Sequence, residues 1–146
     1  MSQKMDFSPQ KKQSGQSLVE MAITLTLLMT LLAGVVDIGR AFFAWVAIRD
    51  AAQEGALYGS INPSRSDLIT DRARAAAASA VDLSQLTVSA PVFSGGQCAS
   101  ADGSNSIRVN ITYRYNTITP FLSAIIGSQI TVGASSTNTI ISPKCN

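Results

Sequence analysis

The chain has 146 residues, 46% hydrophobic and 14% charged, with two cysteines, no histidine and a formal charge of +2, a length that suits one small domain rather than a large core. Lys4, Lys11 and Lys12, opposed only by Asp6, carry that whole excess and leave eight basic and eight acidic side chains in residues 16–146, a balance that argues against nucleic acid as a partner. The absence of histidine, of a phosphate-binding loop, of a dinucleotide glycine fingerprint and of a nucleophile elbow argues against an enzyme, so no catalytic residue, cofactor, metal site or small-molecule substrate is expected.

The basic leader ends in Gly15-Gln16-Ser17-Leu18-Val19-Glu20, directly before a long apolar run. A secretory signal places its apolar core ahead of the cleavage site, whereas here the small residue precedes the core. From Leu18 to Val36 the run counts 19 residues, about 28 Å of helix against the ~30 Å hydrocarbon layer of a bilayer. Leu25, Leu27, Leu28, Leu31 and Leu32 cover every face of it, which suits lipid better than a core that a chain this short can wrap. The leader lysines favour a cytoplasmic N-terminus and an exported C-terminus.

Glu20 is the one carboxylate of the run, and a charge in an apolar span costs a few kcal/mol, roughly, unless it meets a partner or a boundary. One reading leaves it wet at headgroup depth. The other cuts the chain after Gly15, so that Gln16 becomes the first residue and its new α-amine a counter-charge for Glu20, within one chain or between packed subunits. The small residues Ala33, Gly34 and Gly39 offer surfaces on which other helices can approach closely. Phe42, Phe43 and Trp45 fit either the outer headgroup level or contacts with the chain's own globular part.

No proline interrupts the stretch between Gln16 and Ile61, and Ile38, Phe42, Trp45, Ile48, Ala52 and Leu57 form a helical stripe beyond the span. Gly59 with Ser60, Asn62 and Pro63 reads as the stop, giving one long helix over 16–59 with its transmembrane part at about 18–36. A second helix is expected over about 66–81, capped by Asn62 or Ser64, with a narrow apolar face of Ile69, Ala73, Ala76, Ala77 and Ala80. Asp67 and Asp71 neutralise Arg65, Arg72 and Arg74 there, so neither an acidic site nor a basic patch is read from it.

Residues 86–93 form a candidate strand made irregular by Pro91, and Ile107, Val109, Ile111, Tyr113 and Tyr115 alternate with polar residues in the strongest strand pattern of the chain. Thr119-Pro120 opens a short helix of Phe121, Leu122, Ile125 and Ile126 that Gly127 closes. Residues 130–141 supply one or two further strands, loosened by Ser135, Ser136 and Asn138. The fold class is therefore α+β: a long N-terminal transmembrane helix continuing into a small head, residues 60–146, with a second helix and three to four antiparallel strands. Cys98 and Cys145 both fall on the exported side of the span, where a disulfide between them can form.

At the Gly15/Gln16 junction, Ser17-Leu18-Val19-Glu20-Met21-Ala22, Gly34, Asp37-Ile38-Gly39-Arg40, Asp50-Ala51-Ala52-Gln53-Glu54-Gly55-Ala56 and Thr119-Pro120-Phe121-Leu122, the chain resembles the TadE-like pilin-related proteins of tight-adherence (Tad) pilus systems, within the type IV prepilin superfamily. The resemblance covers residues 15 to about 59 well and is loose beyond. It implies a leader at residues 1–15, removed after Gly15 by a prepilin peptidase, and assembly with other pilin-like subunits and the Tad assembly platform into a pilus or pseudopilus. The alternative is an uncleaved single-pass anchor whose exported head binds another envelope protein.

Overall fold

The computed structural model describes residues 14–143. Alanine, leucine and other good helix formers without a proline let the first helix, α1, run unbroken over Ser14–Ile61, 48 residues, about 72 Å at 1.5 Å per residue. In its first half the large side chains Leu18, Met21, Ile23, Leu25, Leu27, Leu28, Leu31 and Leu32 are all exposed. The threonines of this stretch hide their polarity within the helix: the hydroxyls of Thr24, Thr26 and Thr30 donate to the carbonyls of Glu20, Ala22 and Thr26 at 2.8–2.9 Å, which leaves no free hydroxyl donor among them to be carried into an apolar layer.

The second half of α1 carries the head. Helix α2, Ser66–Ala77, and an antiparallel sheet of four strands pack on it. Strands β1, Leu86–Val88, and β2, Val92–Ser94, lie along one edge of β3, Ser106–Asn116; β4, Gln129–Thr139, lies along the other, and the short helix α3, Pro120–Ile126, joins β3 to β4. The shared core comprises Ile48, Ala51, Ala52 and Ala56 of α1, Ile69, Ala73 and Ala77 of α2, and Leu86, Ile107, Val109, Ile111 and Ile140 of the sheet and its flank.

β1 and β2 are one edge interrupted by a bulge. Val88 stands opposite Ile111 and Val92 opposite Arg108, so four steps on this edge face three on β3. The extra residue falls where Pro91 cannot donate to the ladder. It also switches the inward parity, so that Leu86 and Val88 precede the bulge on the core side and Phe93 follows it there. The candidate strand at residues 86–93 is thus two short strands. β4, by contrast, is a single strand despite Ser135, Ser136 and Asn138, because β3 pairs with it along all eleven of its residues.

Three sequence expectations are corrected. The expected stripe of α1 meets the head only in part: its Ile48 and Ala52 are buried there together with Ala44, Ala51 and Ala56, Trp45 is half-buried, and Ile38, Phe42 and Leu57 are exposed. Close approach of α2 and β3 favours small residues, so apart from Ile48 the largest ones turn away. Gly59 does not stop α1 but sits inside it, where an added Cβ would collide with the tip of Ile107 and come within 3.0 Å of Ile69 Cδ1. The helix ends beyond it, and the carbonyl of Ser60 accepts from the amides of Ile141 and Ser142 at 3.0 and 3.2 Å. Helix α2 stops at Ala77 and starts after Arg65, with no side-chain cap; Asn62 instead closes α1 through its amide to the Tyr58 carbonyl. Ala76 and Ala80 are exposed, so the apolar face of α2 is narrower than expected.

The glycines of α1 separate packing from openness. At Gly55 a Cβ would stand 2.9 Å from Ala73 Cβ and 3.4 Å from the Ile69 carbonyl, whereas at Gly39 it would meet nothing within 4 Å. Gly55→Leu should therefore destabilise the head by about 2–3 kcal/mol through overpacking. Gly39→Ala should stabilise α1 by up to ~1 kcal/mol through helix propensity. Thermal unfolding of the detergent-solubilised protein, followed by circular dichroism, checks both signs.

Candidate functional site: a buried carboxylate at the end of the span

Asp37 stands one residue beyond the apolar run and is 3% exposed. A carboxylate in that place requires donors, since an unpaired buried charge is costly. They come from the far end of the chain. The Tyr115 hydroxyl, at the end of β3, donates to Asp37 Oδ1 at 2.6 Å. The amides of Ile118 and Thr119 and the Thr119 hydroxyl donate to Oδ2 at 3.0, 3.1 and 2.8 Å. Four converging donors favour the ionised carboxylate. Thr119 is the residue before α3, yet its hydroxyl makes no capping bond to that helix because Asp37 takes it.

Tyr115 is held as a neutral phenol. Burial is the main cause, and the hydrogen bond to Asp37 and that group's negative charge add to it, so the phenol is pushed from its ordinary value near 10 up to about 12. Because the folded value is raised, the contribution of this phenol is complete below pH 10 and is lost as pH rises from 10 towards 12.

The sequence-expected residues are spread along α1. Gly15 and Gln16 lie in its first turn, exposed, and Glu20 is exposed on the same face as Ser17, Met21, Thr24 and Leu25. Gly34 and Gly39 have open space where a side chain would begin. Ala33 borders a groove shared with Leu25, Met29, Thr119 and Pro120. Phe42 and Phe43 point away from the head, Phe43 being 75% exposed, while Trp45 is half-buried between Phe42 and the Arg49 guanidinium, 5.7 Å from its ring. Residues 1–13 of the leader lie outside the described residues, and so does Cys145. At the other half of the expected Cys98–Cys145 bridge, the Ala99 amide donates to the Ser142 carbonyl at 2.7 Å, which brings the chain beside Cys98 to a point three residues before Cys145.

Sequence reasoning passed over Asp37, Tyr115, Ile118 and Thr119 as a group. Its signal was a lone carboxylate at the end of an apolar run, and the two segments that meet, Asp37-Ile38-Gly39-Arg40 and Thr119-Pro120-Phe121-Leu122, were each picked out without being joined.

Residues 15–57 match the family model described as TadE-like protein. Over α1 the chain is thus similar to TadE-like proteins, as the residues at 15 to about 59 indicated. No curated protein and no solved structure matches it.

Removing one donor should cost less than removing the acceptor. Tyr115→Phe is expected to lower head stability by about 1–2 kcal/mol. Asp37→Ala should lower it by about 3–5 kcal/mol, since four donors lose their partner at once. The double variant should cost less than the two single effects combined. Thermal unfolding of the four proteins measures the coupling, and an alkaline ultraviolet titration should show one phenolate forming near pH 12 that disappears in Tyr115→Phe.

Proposed function

We propose that this TadE-like chain is a membrane-inserted, prepilin-like subunit with its N-terminus in the cytoplasm and its head, residues 60–146, exported. A prepilin peptidase removes residues 1–15, and the first half of α1 then packs among the helices of other pilin-like subunits, on the Tad assembly platform, into a pilus or pseudopilus. The reading is carried by one coincidence: the TadE-like match over residues 15–57 falls on the helix whose apolar half is left uncovered by the other described residues. Gly34 and Gly39 fit it, because their surfaces are open to a neighbouring helix. Glu20 fits it as the partner of the α-amine created at Gln16. Proteolysis and energy supply belong to the peptidase and to a separate assembly ATPase. In the exported compartment, Cys98 and Cys145 pair and tie the loop after β2 to the C-terminal segment.

Mass spectrometry of the native protein should find Gln16 as its first residue, and Gly15→Val should leave residues 1–15 attached. A native protein that begins at Met1 in the wild-type chain would replace this reading with that of an uncleaved anchor. Glu20→Ala should insert into membranes as well as the wild type, because it removes a charge from the span, yet be depleted from sheared filament fractions. Normal incorporation of Glu20→Ala would remove the charge-pairing role.

A further inference from the structure

We propose that the corner joining β3 to β4, residues 117–128, is immersed among lipid acyl chains in the half of the bilayer next to the head. The inference rests on α1 crossing that bilayer.

Position is the first argument. Asp37 ties Ile118 and Thr119 to α1 at the end of the apolar run. From there the chain lies beside the run rather than beyond it, because Thr119 and Pro120 border the same groove as Leu25, Thr26, Met29, Thr30 and Ala33. Ala33 is one helical turn, about 6 Å, nearer the bilayer centre than Asp37.

Composition is the second. Residues 115–130 contain no Asp, Glu, Lys or Arg, although the strands on either side present Arg108, Arg114, Thr131 and Thr137 to solvent. Within that uncharged stretch Ile118, Ile125 and Ile126 are 60%, 65% and 51% exposed. These side chains continue the apolar surface of the span, so the occupant that already covers one covers the other.

The backbone supplies the third and most specific argument. Non-helical chain survives in hydrocarbon only when its polar groups are satisfied internally. Here the Thr117 amide donates to the Ser128 carbonyl at 3.1 Å, the Ile118 and Thr119 amides go to Asp37, and Pro120 has no N–H to place. The hydroxyls of Thr117, Thr119 and Ser123 donate to the Gly127 carbonyl, to Asp37 and to the Pro120 carbonyl at 3.2, 2.8 and 2.9 Å. The amides of residues 117–119 and three of the corner's four hydroxyls thus find partners within the chain. Asp37 thereby has a second task, since the same four donors that orient the corner shield a charge that would otherwise face lipid.

Tryptophan quenching tests the proposal in the full-length protein reconstituted into phosphatidylcholine vesicles. With the sole tryptophan removed by Trp45→Phe, a reporter is placed by Ile125→Trp, and separately by Leu28→Trp as the monitor of the span; both sites are exposed and disturb no packing. Lipids brominated on their acyl chains should quench most of the emission of both reporters, and aqueous acrylamide should quench neither. Quenching of Leu28→Trp by lipid together with acrylamide quenching of Ile125→Trp overturns the immersion while the span stands. Loss of lipid quenching at both positions overturns the span and the immersion with it. Ile118→Trp repeats the measurement from the other side of the corner and should agree with Ile125→Trp.

Discussion

The head depends on the contact between Asp37 and the segment from Tyr115 to Thr119. Elsewhere α1 meets α2 and the sheet through Ala44, Ile48, Ala51, Ala52, Gly55, Ala56 and Gly59, small or apolar residues repeated at helical spacing. Such a surface gains stability from burial but discriminates poorly between one axial setting of the helix and the next, a turn away. A carboxylate that satisfies four donors at 2.6–3.1 Å has one setting. At the far end the carbonyl of Ser60, accepting from Ile141 and Ser142, makes the corresponding pin. Between these two points the sheet is held at a fixed height along the helix, the use of a buried polar group that is best attested in helical assemblies.

The same helix serves two solvents with two residue sets. In its first half, leucine, methionine, isoleucine and valine face outward on all sides and threonine hydroxyls turn back on the helix. In its second half the core side is alanine and glycine around a single large residue, Ile48, while Phe42, Phe43 and Leu57 point away. Asp37 marks the change from one to the other. Both halves belong to one continuous helix, with no proline to bend it.

Much of this was legible in the sequence because it rests on local pattern. The unbroken helix followed from the absence of proline, β3 from its alternation over Ile107 to Tyr115, and α3 from Thr119-Pro120 before and Gly127 after. What was misread depended on packing. Gly59 has the composition of a stop but the position of a contact, since only the approach of Ile69 and Ile107 shows why no side chain is tolerated there. The stripe of Ile38, Phe42, Trp45, Ile48, Ala52 and Leu57 has a helical period, yet only Ile48 and Ala52 of it reach the core, because the period does not say which face the head takes. Asp37 was legible as a charge but not as a site, because its four donors lie 78 to 82 residues away in the chain.

Amide hydrogen exchange on the full-length protein tests the role of Asp37 most directly. In the wild type the amides of Ile118 and Thr119 should be protected. In Asp37→Ala they should exchange at rates close to those of an open loop, while amides at the centre of β3, around Val109, keep their protection because the ladders with β1, β2 and β4 are untouched. Unchanged protection of Ile118 and Thr119 in Asp37→Ala would contradict the account, since the corner would then be held by something other than this carboxylate.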